Sequence, residues 1–133
     1  MRQLLLLAPV AVMFVLAGCD KDEAEATGHE GVKIKFLTDS GYTYLSDTVG
    51  LSDTLKIGLE ITEGDEDLRT LLVDVSYDGG TPERRDSLHM GPDPFYHTVW
   101  PIMRNVAGSE KWNFTVVDEN DDRTSRSLTF TVQ

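Results

Sequence analysis

Apolar and polar residues alternate with a period of two along most of the chain after residue 31. The alternation is clearest in residues 32–36, 55–62, 71–77, 111–116 and 128–133. Successive side chains of a β-strand point to opposite faces, so this period predicts strands with one buried face and one solvated face. Residues 84–90 and 95–102 show the pattern less regularly and are predicted as two further strands.

Turn-forming residues separate the predicted strands. Residues 78–82 read Asp-Gly-Gly-Thr-Pro, and residues 91–94 read Gly-Pro-Asp-Pro. Glycine tolerates positive φ and proline fixes φ, so both segments predict tight turns. The acidic segment 118–122 lies between two strong strands and predicts a hairpin loop. No segment has a convincing helical period, and residues 63–70 are expected to form a single helical turn at most.

About seven short strands in about 100 residues predict an all-β fold, a single antiparallel β-sandwich over residues 32–133. The ending WNFTVVDENDDRTSRSLTFTV resembles the last hairpin of the immunoglobulin-like domains of Bacteroidota lipoproteins, and TLKIGLEIT is similar in character. The resemblance implies an immunoglobulin-like sandwich. This chain departs from it at Asp121 and Asp122, where glycine is common, and it lacks the paired cysteines of antibody domains. The alternation places Trp112 in the core with Phe114.

The first eighteen residues have the parts of a secretory signal: the basic Arg2, an apolar run over 4–16 and two small residues. The run is too short to cross a bilayer, which takes about 20 residues. The sequence Leu-Ala-Gly-Cys at 16–19 resembles the lipobox of bacterial lipoproteins. The resemblance implies cleavage before Cys19, a diacylglycerol thioether on its sulfur and a further acyl chain, such as palmitate, on the new amino end.

Residues 19–31 are acidic, poor in apolar side chains and predicted to be a flexible tether. Residues 21–23, Lys-Asp-Glu, resemble the surface-export signal of Bacteroidota lipoproteins, which implies an outer-membrane anchor with the protein facing outward. Asp20 would instead mean retention at the inner membrane under the enterobacterial sorting rule. The alternative location is therefore the periplasmic face of the cell envelope.

The charge balance excludes some partners. The chain has 12 Lys and Arg against 23 Asp and Glu, a net charge of −11. Removal of the signal with Arg2 leaves 11 − 23 = −12. Nucleic acid is therefore not expected as a partner, because its binding needs basic surface that displaces counterions. Contact with an anionic membrane is expected through the covalent lipid alone.

Two acidic segments are the candidates for calcium binding. Asp118, Asn120 and Asp122 have the alternate spacing of some calcium loops, which offer several oxygens from one tight turn. The glycine and the distant glutamate of such loops are missing, and a solvated hairpin loop is the simpler interpretation. Residues 63–67 form the second acidic cluster, which contains Glu63, Asp65 and Asp67.

No metal, cofactor or catalytic site is predicted. His89 and His97 flank the 91–94 turn, but their spacing is not that of a zinc site, and His29 lies in the tether. After lipidation of Cys19 no free thiol remains. The chain contains neither a nucleophile-elbow serine nor a glycine-rich phosphate loop.

Four aromatic residues are the candidates for ligand contact. They are Tyr42, Tyr44, Tyr96 and Trp100. Aromatic faces pack against the C–H side of sugar rings as they pack against apolar surface. Tyr96 and Trp100 share the face opposite Phe95, and Tyr42 and Tyr44 are expected to be the more exposed pair. Packing in the core is the competing role for these rings.

Three short segments read Asp, a hydroxyl residue and an aliphatic residue. Their hydroxyl residues are Thr48, Thr54 and Ser87. The pattern resembles the O-glycosylation motif of exported Bacteroidota proteins, and modification would require all three residues to be exposed. Ordinary strand-edge sequence is the alternative, because such short motifs often arise by chance.

The sequence thus predicts a lipid-anchored cell-envelope protein that acts as a non-catalytic surface interaction module for a protein or glycan partner. Two alternatives stay open. One is a glycan-binding accessory protein of a polysaccharide-uptake system, which requires exposed aromatic residues on one surface. The other is a calcium-stabilised adhesion or spacer module, which requires a melting temperature that depends on calcium.

Overall fold

A computed structural model describes residues 30–133 of the chain. The described part contains eight strands and no helix. The strands are β1 (Lys33–Phe36), β2 (Asp47–Val49), β3 (Ile57–Thr62), β4 (Leu68–Tyr77), β5 (Glu83–His89), β6 (Phe95–Val99), β7 (Gly108–Asp118) and β8 (Arg123–Val132). The predicted signal peptide, Cys19 and nearly all of the predicted tether lie outside the described residues.

The strands form two sheets. One sheet has the order β1-β3-β6 and the other the order β2-β8-β7-β4-β5. The prediction of an all-β sandwich is confirmed, with eight strands instead of about seven. One pairing departs from the predicted antiparallel arrangement, because β2 runs parallel to β8. The sequence analysis missed β2 because its three residues are too few to show an alternation.

The strand order is that of an immunoglobulin-like domain. β1, β3 and β6 occupy the places of strands A, B and E, and β4, β7 and β8 those of C, F and G. β2 and β5 add one strand at each end of the larger sheet. The long β7–β8 hairpin that the resemblance implied is present, with ten residue pairs in register.

The inward faces of both sheets form one apolar core. Ile57, Leu59 and Ile61 of β3 have no solvent exposure. From the facing sheet, Phe114 is equally buried, and the ring of Phe36 meets it edge-on with 5.8 Å between the ring centres. Full burial of one such side chain stabilises the fold by about 1.5–3 kcal/mol.

Two segments of the chain differ from the predicted elements. Residues 68–70 extend β4 and form no helical turn, because they pair with the end of β7. β6 ends at Val99, earlier than the predicted 102, since Pro101 has no N–H to continue the ladder. Trp112 is 5% exposed, which confirms its predicted place in the core.

Residues with positive φ close both long hairpins. Asp78 and Gly79 have φ of 51° and 74°, the conformation that two-residue hairpin turns favour. Asp121 has φ of 67° in the loop between β7 and β8. Aspartate is among the few side chains that adopt this conformation readily. Asp121 therefore adopts the positive-φ conformation for which glycine is common in this loop.

Candidate ligand-binding surface

The outward side of the three-stranded sheet brings together side chains that lie far apart in the sequence. In the pairing of β3 with β6, Glu60 lies opposite Tyr96. The same register, continued beyond the strand ends, places Lys56 opposite Trp100. Because successive side chains alternate, all four face away from the core. Together with Tyr42 they form a surface that we call the aromatic face.

Lys56 lies between two rings of the aromatic face. Its Nζ is 4.3 Å from the ring centre of Tyr42 and 5.4 Å from that of Trp100. The negative face of an aromatic ring attracts a cation at such distances. The sequence prediction omits Lys56, although its alternation phase matches that of Glu60 and marks it as outward-facing. The residue as a whole is half-buried, and the two rings hold its ammonium group in place.

Gly58 determines how close Tyr42 comes to the sheet. It occupies an outward position of β3 and is nevertheless buried, because Tyr42 and Leu37 fold over it. A Cβ atom at residue 58 would come within 2.6 Å of Tyr42 Cε1 and 2.7 Å of Leu37 Cδ1. The missing side chain of Gly58 thus provides the space in which the Tyr42 ring packs.

The predicted aromatic residues differ in exposure. Tyr96 is 57% exposed, Trp100 59% and Tyr44 39%, whereas Tyr42 is half-buried. The expectation that Tyr42 and Tyr44 would be the more exposed pair is therefore wrong, because Tyr42 packs against β3. As the alternation predicts, Phe95 packs against the core while Tyr96 and Trp100 face outward.

Tyr44 lies beside the aromatic face. It lines a shallow cleft of about 260 Å³ together with Tyr42, Leu45 and Asp47. The backbone between the two tyrosines is held to the strand region, since Thr43 N donates to the carbonyl of the Lys56 residue at 2.7 Å. Three of the four predicted aromatic residues thus meet on one face, and the fourth lies at its border.

Backbone hydrogen bonds fix the chain that follows Trp100. Leu55 N donates to Pro101 O, and Met103 N donates to Asp53 O, both at 2.8 Å. The β3–β6 ladder holds the preceding residues. Trp100 is therefore anchored from both directions, although its ring is largely in solvent.

A buried carboxylate anchors the next part of this segment. Glu110 has no solvent exposure. Its Oε1 accepts hydrogen bonds from Arg104 N at 2.8 Å and Arg104 Nε at 3.2 Å, and its Oε2 accepts one from Trp112 Nε1 at 3.2 Å. A buried charge is tolerated only when paired in this way. Glu110 lies two residues before Trp112 on the same strand, so both side chains point to the same face. This alternation is the sequence signal that predicts Glu110 to face the core.

Asp78 extends this network toward solvent. Its Oδ2 accepts a hydrogen bond from Arg104 Nη1 at 3.1 Å, and its Oδ1 accepts one from Ser109 N at 2.8 Å. The guanidinium, followed by the backbone N–H, lowers the pKa of Asp78 below its usual range. The Arg104 guanidinium also lies over the ring of Tyr77, with its Cζ 4.4 Å from the ring centre.

The two acidic segments considered for calcium lie at one end of the sandwich. A hydrogen bond from Glu119 N to Asp67 O, at 3.0 Å, joins the two segments. A cleft of about 650 Å³ opens here, and its lining includes Glu63, His89 and Asp93. Partial desolvation, followed by repulsion from Asp93 and Asp67, raises the pKa of Glu63.

The loop residues that are spaced like calcium ligands stabilise the β7–β8 turn. Asp118 is 7% exposed, and its Oδ1 accepts hydrogen bonds from the backbone N–H of Asn120 at 2.9 Å and of Asp122 at 3.0 Å. The turn therefore accounts for the alternate spacing. Within residues 30–133, no group of three His, Cys, Asp or Glu side chains is arranged to hold a metal ion.

The remaining predicted positions are distributed over the molecule. His89 ends β5 and His97 lies on β6, while His29 and Cys19 fall outside the described residues. In the part of the chain that the structure describes, no helix has the length and apolar character needed to cross a membrane.

Thr48, Thr54 and Ser87 are all exposed, as O-glycosylation would require. In two of the three segments the preceding aspartate caps the hydroxyl residue. Asp47 Oδ1 accepts from Thr48 N at 2.7 Å, and Asp86 Oδ1 accepts from Ser87 N at 2.8 Å. Modification of the three residues stays a prediction.

The chain matches no protein-family model and no curated protein sequence. Among solved structures, it is similar to a chain from a study of T cell specificity and activation by the bacterial superantigen toxic shock syndrome toxin-1. The TM-score is 0.53 at 10% identity, over 77% of this chain and 100% of that chain. This likeness is one of fold alone.

Two further similarities are weaker. The CARDB domain of the PF1109 protein from Pyrococcus furiosus, solved with di-metal ions, gives a TM-score of 0.46 at 18% identity, over 77% of this chain and 86% of that chain. Murine CRIg gives 0.36 at 9% identity, over 78% of this chain and 99% of that chain. No ligand or partner is transferred from either protein.

The two acceptor oxygens of Glu110 give a first prediction. Glu110→Gln replaces one oxygen by an NH2 group of similar size, which faces a donor of Trp112 or Arg104. We expect the free energy of unfolding, measured by chemical denaturation, to fall by about 2 kcal/mol. In a Trp112→Phe background the same change is expected to cost less, since one opposing donor is gone. A Gln variant as stable as the parent would contradict this assignment.

The lowered pKa of Asp78 gives a second prediction. Its carboxylate stabilises the fold above the pKa of the unfolded chain, and this contribution is lost as the pH falls through the folded pKa. Asp78→Asn keeps the φ of 51° accessible, and it removes the charge together with one of the two acceptor oxygens. We expect a lower Tm than the parent near pH 7 and a shrinking difference below about pH 4. A Tm difference independent of pH would refute the ion-pair explanation.

Proposed function

We propose that this protein is a lipid-anchored module of the bacterial cell envelope that binds glycan, without catalysis, through its aromatic face. The observation that carries the proposal is the exposure of Tyr96 and Trp100 on one face of the smaller sheet, at 57% and 59%. Lys56 and Tyr42 lie on the same face, so the two rings are part of a larger surface.

Exposed apolar residues that are scattered singly need no explanation, but rings that share one face do. A flat aromatic ring offers its face to the C–H side of a sugar and its edge to water. The strand ladder and the Pro101 hydrogen bond fix the backbone around Trp100, so little conformational entropy is lost when a ligand binds. These features favour a glycan over a ligand that needs a deep pocket.

The membrane anchor in this proposal is Cys19, with the lipobox-like sequence at 16–19 as its support. Each buried methylene of an acyl chain contributes about 0.8 kcal/mol, so two or three chains hold a protein firmly. The acidic segment 19–31 serves as the tether between the bilayer and β1. The resemblance of residues 21–23 to a surface-export signal supports an outward-facing protein on the outer membrane.

The anchor is tested by mass spectrometry of the mature amino terminus from the native host. We expect the chain to begin at Cys19 and to carry a thioether-linked diacylglycerol. Cys19→Ala and Cys19→Ser, which both lack the thiol, are each expected to move the protein out of the membrane fraction. An unmodified thiol, or cleavage at another bond, would disprove lipidation, while protease treatment of intact cells decides between the outer surface and the periplasmic face.

Glycan binding is tested on a polysaccharide array with the full-length protein in detergent. We expect Trp100→Ala and Tyr96→Ala each to weaken binding about tenfold, since loss of a stacked ring removes one to two kcal/mol. Val106→Ala is the control, because Val106 is 63% exposed in the loop before β7 and lies outside the aromatic face. Equal binding by all three variants would argue against this surface.

A further inference from the structure

The outward side of the smaller sheet, which includes the aromatic face, has more lysine than acid on a protein that is strongly acidic. Three of the five lysines in the chain, Lys33, Lys35 and Lys56, lie on this side of the smaller sheet. The only acid at the outward positions of its strands is Glu60. Lys33, Lys35, Lys56 and Glu60 together carry 3 − 1 = +2 charges, whereas the whole chain carries −11.

The three lysines on this side of the sheet differ in the residues with which they interact. Lys33 lies 4.0 Å from Glu30, but both side chains are largely exposed, so this pair is weak. Lys35 lies in the same register row as Glu60. Lys56 forms no ion pair with any residue of the described chain, and two aromatic rings position it instead. Its ammonium N–H groups are therefore available to an external anion.

We infer that the aromatic face binds an acidic polysaccharide, with a sugar ring on Trp100 and the carboxylate of that sugar on the Lys56 ammonium. This inference rests on the proposed glycan-binding function and names its ligand class. A carboxylate can accept a charge-assisted hydrogen bond from the ammonium at about 2.8 Å. The attraction is stronger near half-buried aromatic surface than in bulk water.

The two exposed rings lie in different register rows of the sheet, so an extended polymer has two places to stack. Trp100 shares a register row with Lys56, and Tyr96 shares one with Lys35, two strands away. Four residues of extended chain separate the two rings, a rise of about 13 Å. Glu60 lies between Lys35 and Tyr96 in their row, so Lys56 beside Trp100 is the cation that an acidic sugar would meet directly next to a ring.

The experiment compares two forms of one polymer. Binding of full-length protein in detergent to polygalacturonate is measured alongside binding to the same polymer after complete methyl esterification, which removes its charge and keeps its sugar rings. We expect the ester to bind at least about tenfold more weakly, the effect of losing one hydrogen bond to a charged group. Binding to polygalacturonate should also weaken as salt is raised.

Variants assign the effect to Lys56. Lys56→Met, which keeps the length and removes the charge, is expected to lose the preference for the acid form, and Lys56→Arg to retain it. Lys111→Met is the matched control, because Lys111 is exposed on the outer face of the other sheet. If Lys56→Met does not fold, the Arg variant, the ester comparison and the salt dependence still decide the question.

The outcomes separate the two proposals. If both polymer forms bind equally and only Trp100→Ala abolishes binding, the glycan function stands and the acidic ligand class is wrong. If neither polymer binds and the array is also negative, with the β-sheet signal of circular dichroism intact, the glycan function itself fails. Equally tight, Lys56-dependent binding of oligo-deoxythymidine would overturn the inference in favour of a nucleic acid ligand.

Discussion

The burial of alternate side chains between two sheets is the constraint on which the rest of this structure depends. Ile57, Leu59 and Ile61 are removed from water, and the residues between them must consequently face outward. Pairing with β6 then brings Tyr96 and Trp100 to that outward side. The aromatic face is thus the reverse side of the core, and whatever holds the core in register also holds the surface residues in position.

Most of the strands follow from the sequence because each one displays the period of two within its own residues. The same local signal places Trp112 inside and separates Phe95 from Tyr96 and Trp100. The β7–β8 hairpin is equally local, since an acidic loop joins two strongly alternating strands. The alternation determines the face of the sheet on which each residue lies. For these elements, that information is sufficient to predict the structure.

Other features depend on which strands become neighbours, which no single segment reveals. The Lys56 ammonium group contacts the rings of Tyr42 and Trp100. Its contact with Trp100 depends on the register of β3 with β6. Tyr42 is half-buried because Gly58, sixteen residues later in the chain, leaves room for its ring. Glu110 is stable inside the protein only because Arg104 and Trp112 both point donors at it. β2 escaped prediction because its three residues are too few to show an alternation, and its pairing partner β8 is more than seventy residues away.

The strand at one margin of the larger sheet has a consequence for how copies of the protein meet. A sheet margin offers unpaired backbone groups to any second chain, and proteins protect it with charge. β5, Glu83–His89, has no buried residue and carries Arg84 and Arg85 in its first half. Glu83 and Asp86 lie on the same strand, so copies aligned along it would have to desolvate four charged side chains without covering buried apolar surface. The margin is therefore a poor template for fibril growth, even where many copies are crowded together.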